Sequence, residues 1–256
     1  MRLAGERVLV TGSTAGIGKH IALMCAREGA HIAVHGRNRE RGQTVVEAIQ
    51  ATGGNAVFIA ADISDEAACK ALVATAAGQL GGLTALVNNA AADAIVNKAL
   101  FADEDSLHWE SVLRGTLSTA AWLSREALRH MLKAGHGSIV NISSRQAERA
   151  SPGMGAYAAA KGGLNALTRA IAVDYGRQGI RCNALSVGYV VNEVRDAGMT
   201  PARRAEIEAM HLTRPGRPDD IAYAVVFLIS PESEFITGTL IPVDGGATIA
   251  RGKVLG

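Results

Sequence analysis

Val8-Leu-Val-Thr-Gly-Ser-Thr-Ala-Gly-Ile-Gly18 carries a short apolar, β-branched run through three glycines into an amphipathic stretch, and this passage decides the fold. A strand that turns sharply into a helix needs residues without a Cβ at the turn. Glycine also lets the backbone approach a pyrophosphate, while the helix N-terminus offers N–H donors and a partial positive charge. The spacing is Gly-x3-Gly-x-Gly. Its position, directly after the first apolar run and before the first helical pattern, is what gives it meaning.

Outward from this turn, apolar runs at 7–11, 32–35, 56–60, 85–88, 138–142, 180–185 and 240–243 alternate with helical patterns. The helices are expected near 17–28, 39–52, 65–79, 104–133, 156–177 and 219–229. Such alternation predicts an α/β fold of Rossmann type, a doubly wound parallel sheet of about seven strands with helices on both faces. Its binding crevice lies at the carboxyl ends of the strands. No Pro/Ser-rich linker or low-complexity block interrupts the chain, so residues 1–256 are read as a single domain. The segment 187–215 breaks the alternation with glycine, Met199-Thr-Pro201 and a charged helical piece at 202–210. A long insertion after a strand's carboxyl end is read as a lid over the site.

Composition narrows the function classes. The chain is 48% hydrophobic and 20% charged with a net charge of +2, and its basic residues are scattered, which argues against a nucleic-acid partner. Cys25, Cys69 and Cys182 are odd in number and lack paired spacing, so neither a disulfide framework nor a zinc knuckle is expected. The histidines show no ligand spacing, and no metal is expected. His31 and His35, on the second strand, are read as surface or packing residues. With no run of ~20 apolar residues and no signal-peptide core, a soluble, cytoplasmic protein without a membrane partner is expected.

The end of the second strand reads His35-Gly-Arg37-Asn-Arg39, with no acid before Glu40. A dinucleotide's free ribose 2′-hydroxyl is usually held there by a carboxylate, and a 2′-phosphate by an arginine. Arg37 therefore favours NADP(H) over NAD(H). Asp62, ending the third strand, is read either as an adenine contact or as a cap near Ser64. Further along, Tyr157 and Lys161 stand four apart on an alanine-rich helix, so the phenol and the ammonium share a face. A nearby positive charge is expected to lower the phenol's pKa and make it a proton donor and acceptor for a carbonyl or alcohol oxygen.

With these residues in hand, the chain resembles the short-chain dehydrogenase/reductase family over nearly its whole length. Thr11-Gly-Ser-Thr-Ala-Gly-Ile-Gly18 resembles the family's cofactor turn, Asn88-Asn-Ala-Ala91 its motif after the fourth strand, and Tyr157-Ala-Ala-Ala-Lys161 its catalytic pair. Ile142-Ser-Ser144 fits the catalytic serine, with Ser144 the better match and Ser143 a strand-end hydroxyl. Phe235-Ile-Thr-Gly238 and Val243-Asp-Gly-Gly246 resemble the family's C-terminal strand and turn. The resemblance implies that Ser144 orients the substrate oxygen, Tyr157 exchanges its proton and Lys161 holds the nicotinamide ribose. It implies cofactor contacts from Gly12, Thr14, Gly16, Ile17, Gly18, Arg37, Asp62, Ile63, Asn88, Ala90, Tyr157, Lys161, Gly188 and Val190, and a homotetramer.

Three departures stand out. Ala91 replaces the glycine of Asn-Asn-Ala-Gly. Thr116 occupies the place of the family's fourth catalytic residue, an asparagine that supports a proton-relaying water. Val187-Gly188 replaces a Pro-Gly pair, with Asn192 where a threonine is usual. Arg145, Gln146 and Met154 are candidate substrate contacts, together with side chains after Ala91 and in the 189–210 region. The charged run Arg145-Gln-Ala-Glu-Arg149 suggests a polar or acidic substrate such as a sugar, polyol or short oxo acid. The expected activity is hydride transfer between NADP(H) and a carbonyl or secondary alcohol. A 3-oxoacyl thioester reductase is the alternative, and a non-catalytic nucleotide-binding protein is the alternative of another class.

Overall fold

The seven apolar runs form one parallel sheet in the computed structural model, which describes residues 1–91, 99–192 and 196–250. The strands are β1 (Arg7–Val10), β2 (His31–Gly36), β3 (Asn55–Ala60), β4 (Ala85–Asn88), β5 (Gly137–Ile142), β6 (Ile180–Val187) and β7 (Leu240–Val243). They lie in the order β3-β2-β1-β4-β5-β6-β7, every described pairing parallel. The winding reverses between β1 and β4, which opens the crevice at their carboxyl ends.

Both faces of the sheet are buried, so the central strands are largely apolar and consecutive residues serve opposite cores. Val8 and Val10 pack under α1 (Gly16–Arg27), α2 (Arg39–Gln50) and α8 (Pro218–Ile229), whereas Leu9 packs under α3 (Glu66–Leu80), α5 (Thr119–Ala134) and α6 (Gly155–Tyr175). Ala85 and Val87 of β4 repeat this division against Leu86, as do Val140 and Ile142 of β5 against Ile139. A short α4 (Ser106–Leu113) packs on the start of α6 through Trp109, Val112 and Ala156. The charged piece of the 187–215 segment forms α7 (Pro201–Ala209).

Local chemistry sets the helix starts. The side chains of Asn38, Asp65, Asp105 and Thr200 accept first-turn N–H groups at the starts of α2, α3, α4 and α7. Helices α1 and α6 begin without a side-chain cap, at Ala15 and Met154. These two bring the glycine turn and Tyr157 to the crevice.

One helix expected to run through 104–133 is instead two helices joined by a π-helical turn, Arg114–Ser118. The Thr119 hydroxyl donates to the Arg114 carbonyl at 2.9 Å and to the Ile63 carbonyl at 3.1 Å, and the Thr119 N–H also returns to Arg114, five residues back. The extra residue in this turn swings Thr116 inward. Among the described residues no helix is long and apolar enough to cross a membrane.

Behind the crevice lies a buried polar chain. Asn88 Nδ2 donates to Ser124 Oγ (3.0 Å) and to Asn141 Oδ1 (2.8 Å), and Asn141 Nδ2 donates to Thr168 Oγ1 (2.9 Å). It ties β4 and β5 to α5 and α6, so the strand ends that carry the site cannot slide against the helices. Replacing Asn141 by leucine leaves buried partners unmet and should lower the unfolding free energy by about 1–3 kcal/mol. Urea denaturation measures this; an unchanged midpoint would show that the chain contributes nothing.

Candidate active site

The glycine turn closes against the end of β4. Gly12 and Gly16 have φ of 63° and 51°, the left-handed region that glycine alone enters without strain. A Cβ on Gly18 would fall 2.3 Å from the Gly12 carbonyl oxygen and 2.5 Å from Asn89 Nδ2, so no side chain fits there. Asn89 clasps the turn from the other side. Its Nδ2 donates to the carbonyls of Thr11 (2.9 Å) and Gly12 (3.1 Å), while Thr11 Oγ1 accepts from the N–H groups of Asn89 and Ala90, both at 3.0 Å. The first turn of α1 has neither a capping side chain nor an acidic residue, so its leading N–H groups, on Gly16, Ile17 and Gly18, remain as donors for an anion. This cradle fits the pyrophosphate of a dinucleotide.

At the crevice's opposite wall, Ser144 follows β5 and Tyr157 and Lys161 occupy the first turns of α6. Ser144 Oγ accepts the Gln146 N–H at 3.2 Å, which leaves its own O–H for the phenol oxygen of Tyr157. Lys161 is buried, its Nζ donates to the Ile142 carbonyl at 2.6 Å, and it lies 5.6 Å from the centre of the Tyr157 ring. Ser143 braces α6 from below by donating to Asn165 Oδ1 at 2.6 Å.

The electrostatics differ from the expected sign. Burial raises the Tyr157 pKa and outweighs the Ser144 hydrogen bond, which lowers it. Lys161 is itself pushed down to about 8 by burial. The phenol therefore holds its proton at neutral pH, and Lys161 does not bring it below its ordinary range. The lysine remains mostly cationic at pH 7 and turns neutral as pH passes about 8.

A family model described as enoyl-(acyl carrier protein) reductase matches residues 12–248. The 4-formylbenzenesulfonate dehydrogenase TsaC1/TsaC2 of Comamonas testosteroni is 37% identical, over 97% of this chain and 100% of its own length. The 3-oxoacyl-[acyl-carrier-protein] reductase FabG of Chlamydia pneumoniae is 33% identical over 96% of this chain and 98% of its own. A crystal structure of a gluconate 5-dehydrogenase from Burkholderia cenocepacia J2315, in complex with NADP and tartrate, superposes with a TM-score of 0.90 at 33% identity, covering 98% of both chains. The chain belongs to the short-chain dehydrogenase/reductase family. It is an oxidoreductase acting on a carbonyl or CH–OH group.

Thr116, the position that the resemblance pairs with the family's asparagine, falls in the π-helical turn. Thr116 is buried there against α6, and its Oγ1 has no hydrogen-bond partner among the described residues. Arg37 is exposed just past β2, with no acidic partner among the described residues. Thr14 lies beside it, because a Cβ on Gly36 would fall 2.6 Å from Thr14 Cγ2. Asp62 Oδ1 accepts the Ser64 N–H at 3.1 Å, and the cap of α3 comes from Asp65 instead. The Ile63 carbonyl is engaged by Thr119.

Other expected contacts sit elsewhere. The Asn88 side chain turns into the core network, so any part it plays in the crevice falls to its backbone; Asn89 is the asparagine that holds the turn. Val190 packs its side chain into the core and pairs with Gly216. Gly188 allows a close crossing, since a Cβ would meet Asp244 Cα at 2.7 Å. Asn192 reaches over the glycine turn, its Nδ2 3.8 Å from where a Gly16 Cβ would be. Met154 starts α6, half-buried. Gln146 is spent on its own loop, donating to Ser151 Oγ at 3.0 Å and accepting the Ser151 N–H at 2.7 Å. The candidate substrate positions at 92–98 and 193–195 lie outside the described residues.

Reading the sequence missed Asn89 and His35. The doubled asparagine marked the right strand end, but not which of the two faces the turn. Gly18→Ala should abolish dinucleotide binding while leaving the far-ultraviolet circular dichroism near wild type. Retention of NADPH affinity within a factor of two, by calorimetric titration, would refute the cradle.

Proposed function

We propose that the chain is an NADP(H)-preferring reductase or dehydrogenase for a small polar carbonyl or secondary alcohol, a sugar, polyol or sugar acid. The carrying observation is buried Lys161 and half-buried Tyr157 beside Ser144, at the same carboxyl ends of the strands as the glycine cradle. When bound, the nicotinamide supplies or accepts the hydride. Ser144 holds the substrate oxygen by hydrogen bonding and fixes its approach. Tyr157, protonated at neutral pH, delivers its proton to the oxygen as the carbonyl is reduced and takes one back in oxidation. The Lys161 ammonium favours the phenolate that forms, and would hold ribose hydroxyls with its remaining N–H groups. Thr116 Oγ1, able to donate and accept, is suited to relaying a proton where an asparagine is usual.

Arg37 supports the choice of NADP(H), since an exposed guanidinium with no acidic partner among the described residues matches a 2′-phosphate. The B. cenocepacia gluconate 5-dehydrogenase bound NADP and tartrate, a hydroxy acid, which supports a polar substrate here. The C. pneumoniae relative supports the second reading, a 3-oxoacyl thioester reductase.

Assays with NADPH against sugar acids, polyol-derived ketones, diketones and acetoacetyl thioesters separate these readings. Turnover of thioesters alone selects the second, and tight NADPH binding without turnover of any carbonyl selects a non-catalytic protein. Tyr157→Phe should lower kcat about 10²–10⁴-fold; full activity would remove the assigned proton path. Reduction should hold through neutral pH and fall as pH rises past about 8, where Lys161 loses its charge; a rate unchanged from pH 7 to pH 9 would remove that charge from the mechanism. Arg37→Ala should weaken NADPH about 10–100-fold and NADH little. Equal losses for both would overturn the cofactor preference.

A further inference from the structure

His35 is the penultimate residue of β2, following the aliphatic Ile32-Ala-Val34; it is only 3% exposed, yet its ring contacts polar groups on two other segments. Nδ1 lies 3.1 Å from the Gly12 nitrogen, and Nε2 lies 3.3 Å from the Ala61 carbonyl oxygen. A backbone N–H can only donate, so Nδ1 must be the bare nitrogen. Nε2 must then carry the proton and donate to Ala61. The main chain of His35 adds a second clasp: its N–H donates to Ser13 Oγ at 2.9 Å and its carbonyl accepts the Ser13 N–H at 2.8 Å. Ser13 Oγ in turn donates to the Val10 carbonyl at 2.7 Å.

We infer that His35 is a positioning residue for the dinucleotide site, its imidazole fixing the glycine turn to the end of β3 through one obligatory tautomer. This rests on the chain binding a dinucleotide in the glycine cradle. Two consequences follow from the geometry. The Gly12 N–H, at the head of the turn, is directed into the protein, so the donors left for an anion are those at the start of α1. The turn is also held in register with Ala61-Asp62-Ile63, so the two walls of the adenosine path move as one body. Burial lowers the His35 pKa to about 4, against the opposing pull of the Ala61 carbonyl and Asp62, so the acceptor nitrogen stays bare throughout the neutral range.

Two amide substitutions separate the ring's two roles. In His35→Asn the side-chain oxygen takes the place of Nδ1 and can still accept from Gly12. In His35→Gln the amide reaches the place of Nε2 and leaves Gly12 without an acceptor. Calorimetric titration with NADPH and with NADH should place the asparagine variant within about twofold of wild type. The glutamine variant should bind both about tenfold more weakly, with kcat at saturating cofactor unchanged and the loss carried by the KM for the dinucleotide. Equal affinities for the two variants would overturn the inference and reduce His35 to a packing residue.

A measurement on the wild-type protein needs no variant to fold. Nitrogen-15 shifts of the His35 ring at pH 7 should report a protonated Nε2 and a bare Nδ1, and the opposite tautomer would overturn the assignment. If wild-type protein binds neither dinucleotide, the cofactor reading fails before the inference is reached. If it binds them and the variants do not differ, the inference alone fails.

Discussion

The close approach of Gly18 to the Gly12 carbonyl is the contact on which the rest of the site depends. Because no Cβ stands between them, α1 can start directly above the end of β1 and aim its uncapped N–H groups along the crevice. The same approach brings Asn89 within reach of two carbonyls of the turn. Asn89 belongs to the segment leaving β4, so the turn is pinned at the place where the sheet's winding reverses. On the other flank, His35 pins it to β2 and β3. A flexible glycine loop is thereby made rigid by its neighbours together with its own Thr11 and Ser13, which is how a backbone cradle can be preorganised.

The opposite wall shows the same division of labour with charged groups. Lys161 is taken out of water by α6 and β5, and desolvation costs it part of its basicity. The Ile142 carbonyl satisfies one of its three donors, while Ser143 and Asn165 fix the helix turn that carries it. Tyr157 is likewise kept a phenol by burial, more strongly than Ser144 can offset. The site is therefore poised as a proton donor.

The architecture was legible because the central strands are buried on both faces and so read as short, largely apolar runs, while glycine and alanine patterns mark the turns and helices. Ser144, Tyr157 and Lys161, singled out in the sequence, are brought together at the carboxyl end of β5 and the start of α6. What the sequence did not reveal depends on contacts between distant segments. The π-helical turn at 114–118 is stabilised by Thr119 reaching Ile63, 56 residues away, and no local pattern announces it. Asn88 and Asn89 are chemically identical neighbours, and only the end of β4 decides that one faces the core and the other the glycine turn. His35 looked like a strand residue to be packed, since its polar partners at 12 and 61 come together only in the folded sheet.

The same reasoning narrows what the loop after β5 says about substrate. Its charged and amide side chains suggested a polar ligand, yet most of them are committed to the protein. Gln146 closes on Ser151, Glu148 accepts from Ser186 Oγ at 3.0 Å, and Arg149 reaches the carbonyls of Thr248 and Ala250 at 3.2 and 3.1 Å. Such contacts tie the loop to β6 and to the chain beyond β7, which explains the loop's polarity without any ligand. Arg145 is the exception, half-buried one residue past Ser144 and without a side-chain partner among the described residues. The case for a polar substrate thus contracts from a run of five residues to one guanidinium. A guanidinium one residue past Ser144 would offer paired N–H donors in the plane that a carboxylate accepts, which suits the sugar acids among the proposed substrates.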